Sequence, residues 1–394
     1  MPPPLTPAPA TPAGASPADP ENPASPAGPA DPAAPPTGPE STPGKRKLLA
    51  TLRGLFLTCA VLGALLVVSV VVAIGLGAAV VTPGETAHYL WAALTGGTIR
   101  ADEVTTYQII WQIRTPRVLL AALVGAGLSA IGVAVQAMVR NALADPFVLG
   151  VSSGASVGAV TVTVTGGLAA LGIYAVSAGA FLGALAASVL VYVASARRGA
   201  LSPLRLVLTG VALSFGFQAL MSVIVYLAPD SEATSTVLHW TLGGFGAATW
   251  GVLPLVTAVV VVGVVVLHRN ARALDLLALG DEAATSLGVD PDRHRKALLL
   301  LVSLVTGVLV SVSGAIAFVG LVLPHLVRMV VGATHARVLT VAPLAGAVFM
   351  VWVDLVSRTL AAPRELPLGV ITALVGVPVF ITLMRRNGYV FGGR

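Results

Sequence analysis

Apolar runs of about twenty residues recur along this chain with little between them. A helix needs roughly twenty residues to cross the ~30 Å hydrocarbon core of a bilayer. Only helices and closed barrels satisfy their backbone groups there. The runs fall at about 48–81, 117–138, 147–170, 171–195, 205–228, 251–268, 297–317, 319–331, 338–358 and 368–384. They predict an all-α, polytopic membrane protein of about ten transmembrane helices. The 319–331 stretch is short for the slab and predicts a partial helix. Hydrophobic residues make up 56% of the chain and charged residues 10%, where soluble domains run near 25% charged. Water is not the main surroundings.

Residues 1–47 form a Pro/Ala-rich tail that cannot bury enough apolar surface to offset its ordering entropy, and they read as disordered. The tail ends at Lys45-Arg46-Lys47, before an apolar run too long for a signal peptide and suited to a retained anchor. Basic residues set the orientation. Alternate loops carry Arg140; Arg197, Arg198 and Arg205; Arg269, Arg272, Arg293, Arg295 and Lys296; Arg337; and Arg385 and Arg386. The opposite loops carry only Arg100, Arg114, Arg117, Arg358 and Arg364, with Glu85, Asp102, Glu103, Asp230, Glu232 and Glu365 among them. Both termini, including the short 387–394 tail, are expected in the cytoplasm. The +6 net charge sits at helix ends without an aromatic-interleaved patch, which argues against a nucleic-acid partner. The lone Cys59 excludes a disulfide or cysteine metal site within the chain.

Small residues mark helix contacts. Gly150, Gly154 and Gly158, and likewise Gly179 and Gly183, recur every four residues, which lets backbones approach where lipid gives no hydrophobic drive. One cytoplasmic loop is large. Within it Leu279–Gly288 reads as one short helix, with Asp281 and Glu282 at its positive end and Gly288 just past its last turn. Asp290 and Pro291 start a second helix at once. Spacing leaves two readings open, a docking knob bearing Leu276, Leu277, Ala283 and Leu287, or a connector lying on the membrane.

From about residue 48 to 386 the sequence resembles the permease family of ABC importers for ferric siderophores, haem and vitamin B12. The matching segments are Arg114-Thr-Pro-Arg117, Arg140-Asn-Ala-Leu-Ala-Asp-Pro146, and Leu149-Gly-Val-Ser-Ser-Gly154. His239-Trp240 with Gly243-Gly-Phe-Gly246, Leu279-Gly-Asp-Glu282 and Ser286-Leu-Gly-Val289 follow. The last are Ala317–Arg328, Asp354 with Arg358, and Glu365-Leu-Pro-Leu-Gly369. Order and spacing carry the match. The resemblance implies two such subunits side by side, as homodimer or heterodimer, with the path between them. It also implies cytoplasmic ATPase subunits that bind ATP and Mg, and a substrate-binding protein outside. It assigns binding-protein docking to Arg114, Arg117 and Arg358, placed at the outer mouth to meet carboxylates. ATPase coupling falls to a helix pair at about 275–295, bearing Leu279, Gly280, Asp281, Glu282, Ala283, Ser286, Leu287 and Gly288. Inner gates fall at Asn141 and Leu143 and at Ser202 to Leu204. The chain departs from the family at Ala142, where many relatives carry proline, and has Pro203 in the second gate. Ferric siderophore is the commonest cargo of such permeases.

The chain has no G-x-x-x-x-G-K-[ST] phosphate cradle, so ATP is expected to bind another polypeptide, and no cofactor is expected here. Two other mechanisms fit isolated motifs. Asp354 is either an ion pair with Arg358 four residues on or a proton-relay carboxylate in a secondary transporter. Gly150-Val-Ser-Ser-Gly154 fits a serine nucleophile pattern, with Ser152 or Ser153 acting beside His325, but it begins an apolar segment rather than a strand–turn–helix.

Overall fold

The computed structural model describes residues 43–77, 81–197, 200–228, 237 and 240–385. Most of the tail, the 387–394 segment and His239 lie outside the described residues. The chain divides into two compact units, residues 1–48 and 49–394, and the second holds everything below. In the first unit the described residues, from 43 on, are helical, although composition assigned 43–47 to the disordered tail. Pro43 there opens a helix, where its missing N–H costs nothing.

Fourteen α-helices follow in chain order among the described residues. They are α1 (Pro43–Gly75), α2 (Pro83–Thr95), α3 (Val104–Gln108), α4 (Thr115–Met138), α5 (Val151–Thr165), α6 (Ala175–Ser195) and α7 (Pro203–Tyr226). Then come α8 (Leu253–Arg269), α9 (Ala271–Leu279), α10 (Asp281–Ser286), α11 (Pro291–Ser313), α12 (Val319–Val331), α13 (His335–Thr359) and α14 (Leu368–Arg385). Six helices are long and apolar enough to cross a bilayer alone, α8 and α9 form one pair bent by 59°, and α5, α12 and α14 are shorter apolar helices. Together these are the ten apolar stretches of the sequence. At about 1.5 Å per residue, α12 spans roughly 20 Å and is the partial helix its length implied. Helix α2 was not expected. Thr82 and Glu85 cap it reciprocally, so Glu85, read only as a loop charge, is a structural cap.

Helix α4 is the axis of the unit, packed by α8, α11, α12 and α13. Its chain enters through α3 and a π-helical turn, Ile109–Arg114. The Ile110 carbonyl accepts from both the backbone N–H and the Oγ1 of Thr115. Pro116 supplies no N–H, and the Trp111 carbonyl five residues before it accepts from Trp250 Nε1 at 2.9 Å. Glycine decides how closely the neighbours approach. A Cβ on Gly125 would overlap the Gly346 carbonyl of α13, and one on Gly132 the Gly320 carbonyl of α12. The same holds for Gly154 and Gly158 of α5 against Gly183 and Gly179 of α6, the close backbone approach their spacing predicted. Gly150 stands apart from that stripe. It precedes α5 in a left-handed conformation and faces the Gly210 carbonyl of α7.

Candidate functional site

Two clusters of charge form at opposite ends of the α4 axis. The first joins α4, α13 and the end of α1. Arg117 Nε donates to Asp354 Oδ1 at 2.7 Å, and its two other nitrogens grip Glu365 at 2.7 and 3.0 Å. Arg358 Nε donates to the other Asp354 oxygen at 3.0 Å. Helix α1 ends without a basic residue in its last turn, so its final carbonyls need donors from elsewhere. Arg114 donates to the Ile74 and Gly75 carbonyls, and Arg358 to those of Ala73 and Leu76. Cations at a helix C-terminus also oppose its dipole favourably.

This arrangement corrects one expectation. Arg114, Arg117 and Arg358 do not stand exposed at the outer mouth, being 6%, 7% and 8% accessible. A guanidinium in a membrane protein is held inside when carboxylates and orphan carbonyls can use its five donors. Arg364 and Glu365 are the charged residues exposed beside them. Asp354 is the structural ion pair rather than a free carboxylate, since both its oxygens accept from guanidinium groups.

The second cluster lies where α4 ends and α11 begins. Helix α8 bends at Asn270 into α9, which packs on α4 and α13. Asp275 of α9 accepts from the His335 backbone N–H at 2.9 Å and contacts its ring Nδ1 at 2.6 Å. The chain then turns at Gly280, whose φ of 116° favours glycine, into the short α10. Two expectations change here. Leu279–Gly288 is not one helix, because Leu279 closes α9 and Gly280 separates it from α10. The second helix of the 275–295 pair is also not external. Asp290 caps and Pro291 opens it as expected, but it runs unbroken to Ser313 as a spanning helix. The projecting pair is α9 and α10.

Leu279 and Leu287 flank α10 and are each 62% accessible, with Glu282, Ser286 and Gly288 also exposed and Ala283 half-buried. Asp281 faces inward to Arg295, which binds both its oxygens through Nη1 and Nη2. Arg140, just past α4, adds a third contact at 3.8 Å. The Arg295 hydrogen bond is the main reason the Asp281 carboxyl lies below its ordinary range, against partial burial. Arg295 itself is 1% accessible and also donates to the Met138 carbonyl at 3.3 Å and the Leu201 carbonyl at 3.3 Å. Asp292 of the same helix turn accepts from the Leu201 N–H at 3.1 Å. The peptide groups on either side of Leu201 are thus gripped from one turn of α11.

Both segments assigned to the gates begin at these carbonyls. Met138 ends α4, and after it Asn141 Oδ1 accepts from the Leu143 N–H at 2.9 Å in a tight turn. Leu201 closes a two-residue antiparallel ladder, Ala196–Arg197 with Ala200–Leu201, and Ser202 precedes α7 in an extended conformation with Leu204 exposed. Sequence reading counted Arg295 only as a cytoplasmic positive charge. One signal was present. Arg295 shares a helix face with Leu298, Leu299 and Val302, all buried, so its position on the apolar stripe marks it as an inward cation. Met138, Leu201 and Asp292 carry no comparable signal. Ser152 and Ser153 sit in the first turn of α5, which follows a 3₁₀ turn rather than a strand, so the nucleophile pattern lacks its setting.

The model of the FecCD transport family matches residues 65–386. The hemin transport system permease protein HmuU of Yersinia pestis is 39% identical over 281 residues, covering 71% of this chain and 84% of its own length. The cobalamin import system permease protein BtuC of Halobacterium salinarum is 39% identical over 281 residues, 71% of this chain and 74% of its own. Among solved structures, a metal-chelate type ABC transporter in an inward-facing conformation superposes with a TM-score of 0.72 at 31% identity. It covers 83% of this chain and 98% of that one.

Proposed function

The chain belongs to the FecCD transport family, the permease subunits of ABC importers, and on that premise we propose that its cargo is a ferric siderophore. It is a multi-pass membrane protein and a transport subunit rather than an enzyme. The relatives named for hemin and cobalamin and the metal-chelate transporter share one chemistry, a metal already held in an organic chelate. That supports a chelate as cargo, and siderophores are its commonest form in such importers. Haem and cobalamin are the competing cargoes.

Energy enters from separate cytoplasmic ATPase subunits that carry ATP and Mg, because this chain has no phosphate-cradling loop. The observation that carries this reading is α10. It is a six-residue helix outside the spans, with Leu279 and Leu287 presented to solvent at its two ends. Exposed leucines beside a charged Glu282 suit the apolar core and polar rim of a protein interface. Asn141, Leu143, Ser202 and Leu204 form the inner gates. At the outer end a substrate-binding protein docks over Arg364 and Glu365, with Arg114, Arg117 and Arg358 holding that surface from beneath. A second permease subunit completes the path, and both termini lie in the cytoplasm with the basic loops.

The test is purification from native membranes followed by uptake of radiolabelled ferric siderophore into proteoliposomes. The expected result is a co-purifying nucleotide-hydrolysing partner and uptake that needs ATP and ignores an uncoupler. Uptake that survives ATP depletion and collapses with the uncoupler would overturn the assignment in favour of proton coupling at Asp354. Preferential uptake of hemin or cobalamin would overturn the cargo alone.

A further inference from the structure

We propose that Arg295 is the joint that moves both inner gates together, a positioning residue for transport that links α10 to each gate segment at once. The proposal rests on the coupling and gating reading above and adds to it the path of the motion. Three observations carry it. Arg295 is 1% accessible, so protein acceptors rather than water orient its guanidinium. Its guanidinium holds Asp281 through two nitrogens, and Asp281 is the first residue of the helix that faces the ATPase. The remaining donor capacity goes to the Met138 and Leu201 carbonyls, which lie just before Asn141 and just before Ser202.

Those two carbonyls belong to segments far apart in the chain, and Arg295 donates to both. A planar fork with fixed donor directions can join three acceptors rigidly, where a lysine ammonium on a flexible stem cannot. Asp292 adds to the grip on the second gate by accepting from the Leu201 N–H. A displacement of α10 drags Asp281, Asp281 drags the fork, and the fork pulls on both gate segments in the same step.

The experiment uses the full complex with its co-purified ATPase in proteoliposomes. Spin labels are placed at Asn141→Cys or Leu204→Cys after Cys59→Ser removes the sole native cysteine. Two variants are compared with wild type, Arg295→Lys and Asp281→Asn. The expected result is that nucleotide hydrolysis continues while uptake per nucleotide falls about tenfold or more, as loss of a typical coupling energy would give. The nucleotide-driven shift of both labels should be lost together. A structural defect alone would lower hydrolysis and uptake in proportion and leave their ratio unchanged. An unchanged ratio in both variants, or loss of the shift at one gate only, overturns the proposal. Should Arg295→Lys fail to assemble, Asp281→Asn decides, because it removes charge at a half-exposed position. Absence of any hydrolysing partner for wild type would instead sink the coupling reading itself, and this proposal with it.

Discussion

The charge clusters at the two ends of α4, outer and inner in the proposed orientation, are built from the same residue types, yet they hold their acids differently. In the outer cluster Asp354 is fully buried and shared between Arg117 and Arg358. In the inner cluster Arg295 is the buried member, and its acid, Asp281, is 45% accessible. Opening the outer pair would leave ions in a medium that cannot solvate them, so those helices stay together. Opening the inner pair releases only the acid, into water, while the arginine keeps its backbone carbonyls. The first cluster is a clamp, and the second is a joint. Burial of the carboxylate, rather than the number of contacts, decides which.

That distinction gives its largest consequence at Asp354. Asp354→Asn removes the charge facing two buried guanidinium groups and should cost about 3–5 kcal/mol of stability, the range for breaking a buried pair. Denaturation of the purified protein in detergent measures it. A loss under about 1 kcal/mol would place Asp354 with the exposed pairs and end the clamp argument. Arg117→Lys should cost less, about 1–3 kcal/mol. The positive charge remains near Asp354, but the forked contact with Glu365 is lost. If the lysine variant is as stable as wild type, the Glu365 fork contributes nothing to the clamp.

These clusters also mark where sequence reading stopped. Apolar runs alone located ten helices, because a bilayer demands one length and one composition wherever it is crossed. The glycine spacing in 150–158 and 179–183 marked two contact faces, since small residues every fourth position define one helix face, and the structure pairs them with each other. The Gly125–Gly346 and Gly132–Gly320 crossings follow the same physics but carry no glycine repeat at four-residue spacing, and they were missed. Asp354 with Arg358 was legible as a pair four residues apart on α13. Arg117 lies 237 residues from Asp354, and local spacing says nothing about a partner at that distance. The arginine burial was misread for the same reason. Arg114 and Arg358 reach the carbonyls ending α1, and a backbone carbonyl leaves no trace in the sequence. Within 275–295 the helix start at Asp290 was read as it stands. The break at Gly280 was not read, because a glycine there fits either a helix interior or a turn.

The smallest effect is expected at Asp281, and it separates the two clusters most cleanly. Asp281→Asn should cost about 0.2–1 kcal/mol, the range for ion pairs that water reaches. Salt should matter there. The screening length falls from ~8 Å at physiological ionic strength to ~3 Å at 1 M. The difference between wild type and Asp281→Asn should therefore narrow in 1 M salt, while that for Asp354→Asn should not. The pH dependence follows from the lowered Asp281 carboxyl. A group depressed in the folded state contributes fully above its unfolded value and loses its contribution as pH falls through the folded one. Between pH 8 and 5 the inner pair is therefore constant, and its contribution declines only below the ordinary carboxylate value of 3.8. A change in uptake per nucleotide across pH 8 to 5 that Asp281→Asn abolishes would show that the acid titrates far above that value. The joint would then be gated by protons rather than held by Arg295.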